Sequence, residues 1–350
     1  MPVQNRSVDL DPGWRGYAYA ETDPDRWTTF WRLDPRREPF ELADWHSWPR
    51  KDWSHPDVPL WGRARTPAGI CGRWDVDARA VELDVRASTG VDGSMGQVDV
   101  VADGVIVHRQ QMETGVQRVR AELPEQAGQV EIWLPQLGDA AVRGLRFAGT
   151  ATPAPLDRVQ WATYGSSITQ CGEAAGPADA WPAIVSRRLG WGLRGMGFGG
   201  ECHLDQAALH ELTSRPYDVV SMCLGINIFG AETFNGRSLP GQVATFAGAV
   251  ARAQPDAAVV VITPIAASAA KEAERNGVGL TLDDIRMCVR LGVETANRTL
   301  EKPVHLIAGP DVLGHAETLQ YLGDPVHPNP AGYRLMGERL AKILQEIAAC

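Results

Sequence analysis

Through much of the first half of the chain, hydrophobic and polar residues alternate at a period of two. Short alternating runs occupy 80–85, 97–101, 105–109, 117–123 and 129–134, each bounded by Gly, Pro, Asp or Asn-type turn residues. Side chains two apart share one face of a strand, so such runs predict half-buried antiparallel strands. Several of them punctuated by turns predict an antiparallel β-sandwich, jelly-roll-like in class. No helical period stands out in this half, and residues 30–50 are too irregular to assign.

The pattern changes beyond residue 150. Near-continuous apolar runs at 158–164, 193–198, 217–224, 257–263 and 304–308 alternate with helical patterns at 180–189, 241–253, 282–300 and 331–349. Strands apolar on both faces, separated by helices, predict a five-stranded parallel sheet covered on both sides. The expected class is a flavodoxin-like three-layer α/β/α unit over 157–350, preceded by the sandwich over 1–150. The stretch TATPAPL at 150–156 reads as a linker, with 151–156 assigned to it. In an open parallel sheet ligands bind at the carboxyl ends of the strands, so that is where chemistry is sought.

A length of 350 residues suits two such units. With 44% hydrophobic and 22% charged residues, the chain reads as an ordinary globular protein. A formal net charge of −9 argues against nucleic acid or an anionic lipid surface as partner. The beginning of the chain has no apolar stretch of signal-peptide type, and no run is long enough to span a bilayer. A cytoplasmic location without membrane contact is therefore expected. Six scattered cysteines, with no C-x-x-C pair, make neither a disulfide framework nor a structural zinc site expected.

Four places carry candidate chemistry. Tyr164-Gly165-Ser166-Ser167-Ile168-Thr169 ends the first parallel strand, where a serine hydroxyl would sit at the start of a helix. Serine is a weak nucleophile unless a base activates it. Gly195-Met196-Gly197-Phe198-Gly199-Gly200 follows the second strand, and its backbone amides suit an oxyanion. A dinucleotide-binding loop would follow the first strand instead. Gly225-Ile226-Asn227 ends the third strand and offers a side-chain amide. Asp324-Pro325-Val326-His327 precedes the last helix, with a carboxylate spaced to orient the imidazole. Taken singly, each has a plainer reading: a structural turn, a flexible loop, a turn asparagine, a solvated histidine. Their joint order is what points to one crevice.

These blocks resemble the SGNH hydrolases, also called the GDSL family, over roughly residues 157–350. The resemblance implies Ser167 as nucleophile, His327 as general base and acid, and Asp324 as the residue that orients His327. It implies an oxyanion hole made by the amides of Ser167 and Gly200 and the Asn227 side chain, an acyl-enzyme on Ser167, and no metal or organic cofactor. Two departures stand out. Ser166 replaces the usual Asp before the nucleophile, and Ile228 replaces an Asp that often follows the asparagine. Both predict a less acidic, more apolar site.

A Trp-rich sandwich ahead of such a unit resembles carbohydrate-binding modules and would help frame the substrate pocket. Eight of twelve tryptophans precede residue 75. Most are expected in the core, and Trp45, Trp48 and Trp53 are the ones expected at the surface. The combination also resembles GDSL acyltransferases of tetracycline-type polyketide pathways, that is, of antibiotic biosynthesis. Cys171 and Cys202 flank the same crevice and are expected as neighbours, as packed thiols rather than a disulfide. The Cys202-His203 pair is too small a set for a metal.

Three readings follow. The first is hydrolysis of O-acyl esters of a carbohydrate or small metabolite. The second is transfer of an acyl group from an ester or thioester donor to a hydroxyl acceptor. The third is a non-catalytic ligand-binding protein on the same scaffold.

Overall fold

The computed structural model describes residues 12–37 and 57–349. Trp45, Trp48 and Trp53 lie outside them. The first part of the described chain is a nine-stranded antiparallel sheet. Its strands are β1 (Trp14–Arg15), β2 (Tyr19–Thr22), β3 (Thr28–Trp31), β4 (Cys71–Ser88), β5 (Gln97–Ala102), β6 (Val105–Gln111), β7 (Gly115–Glu122), β8 (Gln129–Trp133) and β9 (Asp139–Pro153). Their order is β2-β3-β9-β4-β8-β5-β6, with β1 and β7 also paired to β4.

Strand β4 folds this sheet into a sandwich. Its beginning pairs with β8, its end pairs with β7, and β9 follows most of its length. Irregularities against β9 at Ala78/Val81 and Glu82/Asp84 let it bend from one layer to the other. Val81, Leu83, Val85 and Ala87 point into the core. Glu82 and Asp84 face outward, where Arg118 and Arg120 pair with them. The described tryptophans of this half, Trp14, Trp27, Trp31, Trp61, Trp74 and Trp133, are at most 6% exposed, so they pack the core.

Two expectations need correction. Thr150–Pro153, read as linker, forms the end of β9 and pairs with Trp74–Asp77. The open edge of β4 supplies hydrogen-bond partners there, and Pro153 sits at the strand end, where its missing N–H costs nothing. The second is the helix Asp57–Arg65, which the sequence pattern did not suggest. It packs on the sandwich, where a Cβ at Gly62 would lie 2.4 Å from Val91 Cγ1.

The second sheet is parallel: β10 (Val159–Gly165), β11 (Trp191–Gly197), β12 (Val219–Cys223), β13 (Ala258–Ile262) and β14 (His305–Ile307), in the order β11-β10-β12-β13-β14. This is the doubly wound order of flavodoxin-like sheets. Tyr164, Met196, Phe198 and Phe246 belong to the core on one face; Trp161, Trp181, Tyr333 and Leu340 belong to the core on the other.

Both cores run on into the sandwich half. Trp31, Leu33, Leu60 and Trp61 join the first, and Cys71, Val101 and Trp133 join the second. Buried cations cross the same boundary. Arg194 donates to the carbonyls of Gly16 and Arg32, each at 2.7 Å, and to Glu211 at 3.1 Å. Arg32 donates to the carbonyls of Gly197 and Arg63. Burial, with Arg194 and Arg63 close by, pushes Arg32 down to about 9. Arg109 bridges Asp99 on β5 and Asp179 ahead of the helix Trp181–Leu189, at 2.7 and 2.8 Å.

Candidate active site

Strand β10 ends at Gly165, where a Cβ would fall 2.2 Å from Thr169 Oγ1, so the turn has room only for glycine. The helix Ser167–Gln170 starts at once. Ser166 is its N-cap, and its hydroxyl accepts from the Ile168 amide at 3.2 Å. A short side chain with an oxygen acceptor is all that this capping position requires, so serine satisfies the helix start. Ser167, the first helical residue, is left partly exposed at the carboxyl end of the sheet.

His327 reaches it from the loop before the helix Pro330–Ala348. Its Nε2 lies 2.8 Å from Ser167 Oγ, and its Nδ1 lies 2.7 Å from an Asp324 carboxylate oxygen. The other Asp324 oxygen accepts the backbone amides of Val326 and His327, both at 2.7 Å. Partial burial alone would raise the Asp324 carboxyl. The two amides and the imidazole outweigh it and hold the group below the ordinary carboxylate range. A bond of 2.8 Å from the Gly323 amide to the His327 carbonyl closes the loop, and Asn329 caps the following helix through the Gly332 amide. This arrangement leaves Nε2 as the imidazole nitrogen that can take a proton from Ser167.

The glycine-rich segment divides in two. Gly195 and Gly197 lie within β11, not in a loop after it. They are small because neighbouring backbone presses on them: a Cβ at Gly197 would meet the Gln170 amide at 2.2 Å, and one at Gly195 the Ala68 carbonyl at 3.1 Å. Gly199 and Gly200 form the part that faces the crevice. Gly200 has φ +82°, a left-handed conformation that favours glycine. Asn227 sits in the first turn of the helix Ile226–Ala231, and its Oδ1 accepts the Cys202 amide at 3.1 Å. Its Nδ2 therefore remains as a donor. Ser167, Gly200, Asn227 and His327 share the lining of one cavity of about 430 Å³.

Apolar Leu137, Ile226, Phe229 and Val326 do line the cavity, but Ile228 is not the source of that character. Ile228 is fully buried in the core and does not line the cavity, whereas Arg63, Asp92, Glu173 and Lys271 do. Arg63, Asp92 and Leu137 come from the sandwich half. Cys171 and Cys202 belong to the cores on opposite faces of the sheet, so they are not partners. Their thiols donate to the carbonyls of Ile168 and Cys223, and the described cysteines are all unbridged. Burial pushes the Cys223 thiol up to about 12 and raises those of Cys171 and Cys202 as well.

Two further residues hold the amide loop. Gln170 Oε1 accepts the Gly199 amide at 2.8 Å, while its Nε2 donates to the Gln136 carbonyl at 3.0 Å. The His203 Nε2 lies 2.8 Å from the Gly200 carbonyl, and its Nδ1 lies 2.8 Å from Thr233 Oγ1. Among the described residues no group of three or more His, Cys, Asp or Glu is placed to hold a metal ion. No described helix is long and apolar enough to cross a membrane.

Residues 163–335 match the model of the GDSL-like lipase/acylhydrolase family, and the parallel-sheet unit of this chain belongs to that family. No curated protein matches the sequence. Among solved structures, a salicylyl-acyltransferase, SsfX3, from a tetracycline biosynthetic pathway is similar with a TM-score of 0.80 and 21% identity, over 97% of this chain and 96% of that one. A putative GDSL-like lipase from Bacteroides ovatus has a TM-score of 0.71 and 15% identity, covering 95% of each chain. A family two carbohydrate esterase from Clostridium thermocellum has a TM-score of 0.61 and 17% identity, over 79% of this chain and 91% of that one. At these identities the structural likenesses show the shared fold.

Proposed function

We propose that this member of the GDSL-like lipase/acylhydrolase family is a serine hydrolase that removes O-acyl groups from a carbohydrate or small metabolite, through an acyl-enzyme on Ser167. The observation that carries this reading is the unbroken hydrogen-bond line from Ser167 Oγ through the His327 ring to Asp324. Ser167 Oγ forms a bond to the ester carbonyl carbon while its proton passes to His327 Nε2. Negative charge builds on the carbonyl oxygen, where the amides of Ser167 and Gly200 and the Asn227 side chain supply donors. The tetrahedral species collapses, the C–O bond to the alcohol breaks, and His327 returns its proton to the departing oxygen. Water, activated by His327, then adds to the acyl carbon and releases the acid and Ser167. Asp324 keeps the proton on Nδ1 and stabilises the imidazolium between these steps.

Exposure of the line favours water as final acceptor: the His327 and Asp324 side chains are 26% and 47% exposed. Acyl transfer to an alcohol is the second reading. It is favoured by the wall that Arg63, Asp92 and Leu137 add to the cavity, against which an acceptor hydroxyl can rest. The whole-chain fold shared with a salicylyl-acyltransferase agrees with either outcome.

A screen of p-nitrophenyl esters and acyl thioesters, with and without an alcohol acceptor, separates them. Release of free acid independent of acceptor supports hydrolysis, and an ester product supports transfer. Ser167→Ala is expected to abolish both while leaving the fold intact. Retention of activity within about tenfold of wild type, against the ~10⁴-fold or larger loss typical of a removed nucleophile, would defeat the assignment, as would failure of a fluorophosphonate probe to label Ser167.

A further inference from the structure

The cavity in front of Ser167 is built by both halves of the chain, and the contribution of the sandwich half is charged. Arg63, near the end of the helix Asp57–Arg65, donates from Nη1 to Asp92 at 2.7 Å. Asp92 is held by its own turn: its second oxygen accepts both the amide and the hydroxyl of Ser94. Burial opposes ionisation of Asp92, but Ser94 and Arg63 outweigh it and hold the carboxyl at about 2. The Arg63 side chain is only 17% exposed, and its Nε is buried with no hydrogen-bond partner among the described residues.

This pair stands beside the nucleophile. A Cβ built on Gly199 would lie 3.5 Å from Ser167 Cβ and 3.7 Å from the Arg63 guanidinium carbon. Gly199 thus separates the reacting serine from the guanidinium by the width of one small residue. Both Arg63 and Asp92 line the cavity shared with Ser167, Asn227 and His327.

We infer that Arg63 and Asp92 form a subsite for a neutral, hydroxyl-rich alcohol, the part of the ester that departs from the acyl carbon as Ser167 is acylated, or that accepts the acyl group from Ser167; the inference rests on the Ser167 reading given above. The argument is one of chemical matching. An ion pair already neutralised within 2.7 Å has no net charge for an anion to seek, and an incoming carboxylate would compete with Asp92. An apolar group pressed on the pair would strip water from it and return no hydrogen bonds, which is unfavourable for every polar atom left unpaired. Hydroxyls on adjacent carbons both donate and accept, so they can meet a carboxylate oxygen and a guanidinium N–H at once. A cavity of about 430 Å³ has room for a sugar-sized ring.

The test compares two acetate esters of similar shape: methyl 6-O-acetyl-glucopyranoside, and cyclohexylmethyl acetate, which lacks hydroxyls. The quantity read is the ratio of their kcat/KM values in wild type, Arg63→Leu and Asp92→Asn. Hydrogen bonds to charged groups are worth about 1.5–3 kcal/mol, so the ratio is expected to favour the sugar ester in wild type and to fall about tenfold or more in each variant. Asp92→Asn changes no volume, so it guards against a folding artefact in Arg63→Leu, and a melting curve checks both. A ratio that changes less than about threefold in variants that fold overturns the subsite, since one hydrogen bond to a charged group exceeds that. An equal loss on both esters also overturns it, because Arg63 would then serve the acyl or oxyanion side. If wild type cleaves neither these esters nor any p-nitrophenyl ester, and Ser167→Ala is no different, the Ser167 reading fails first and the subsite with it.

Discussion

The side chain of Gln170 holds the amide of Gly199 at 2.8 Å, so the helix that begins with Ser167 also fixes the loop that would receive the oxyanion. Gln170 is 4% exposed and anchored at its other end on the Gln136 carbonyl. Gln170→Leu fills the same space without the acceptor. The Gly199 amide then loses its partner, and Gly200 loses its fixed direction. The expected result is a kcat lower by about 10- to 100-fold with KM changed less than threefold, since loss of one well-placed oxyanion donor costs ~10²–10³. Steady-state kinetics on a p-nitrophenyl ester measure it. A rise in KM with unchanged kcat would show that Gln170 serves substrate binding instead.

Asn227 offers a more direct reading of the same charge. With Oδ1 bound to the Cys202 amide, its Nδ2 is the donor left for the cavity. Asn227→Ala removes that donor and leaves the Cys202 amide without a partner. Turnover is expected to fall about 10²- to 10³-fold, while fluorophosphonate labelling of Ser167 slows but persists. Full-rate turnover in this variant would remove Asn227 from the oxyanion site.

How far these features were visible in the sequence follows from how local they are. Strands β10 to β14 form the middle layer of the parallel-sheet unit and are mostly buried, so each shows as a mainly apolar run within a residue or two of its bounds. Asp324 and His327 are three residues apart, and their geometry is made within one loop, so the pair is legible without the rest of the fold. Strands β1 to β3 have two to four residues each and no room to show a period. The end of β9 is hidden by its Ala, Thr and Pro content and exists because β4 offers an edge. The helix Asp57–Arg65 contains Pro59 and Gly62, and packing rather than propensity settles it. Gln170, Arg63 and Asp92 carry no pattern of their own. Their place at the site depends on the two sheets meeting, a contact no run of neighbouring residues announces.

The pH response of the loop that carries His327 follows from Asp324. Its carboxyl is held below its ordinary value because the Val326 and His327 amides and the imidazole bind the ionised form. The contribution to stability is therefore complete above the unfolded value of about 3.9 and is lost as pH falls from there through the lower folded value. Asp324→Asn lacks that term. Urea midpoints of wild type and Asp324→Asn are expected to differ at pH 7 and pH 5 and to converge as the pH falls below about 4. A difference that stays constant to pH 3 would show that the amide bonds do not depend on ionisation. At neutral pH the same variant is expected to lose about 10²- to 10⁴-fold in kcat, because an amide can donate to Nδ1 and leave the proton on Nε2, the wrong tautomer for accepting from Ser167.

Arg194 tests whether the two sheets form one cooperative unit. It is 4% exposed and donates to Gly16 and Arg32 in the sandwich half and to Glu211, itself 3% exposed, in the parallel-sheet half. Glu211 also accepts the Asp34 amide at 3.1 Å, so the carboxylate belongs to both halves. Arg194→Met keeps the volume and removes the cation. Glu211 is then a buried carboxylate without its ion partner, and two carbonyls lose a donor. Breaking a buried pair from one side typically costs about 3–5 kcal/mol, whereas removing both charges is far less harmful. Arg194→Met is thus expected to lower stability by about that amount, and Arg194→Met with Glu211→Gln to regain part of it. Because Trp31, Leu33 and Leu60 pack in one core with Met196 and Phe198, wild type and variants should unfold in a single transition seen alike by tryptophan fluorescence and by circular dichroism. Two separated transitions, or an Arg194→Met loss below about 1 kcal/mol, would show that the halves stand independently and that the buried cations do not join them.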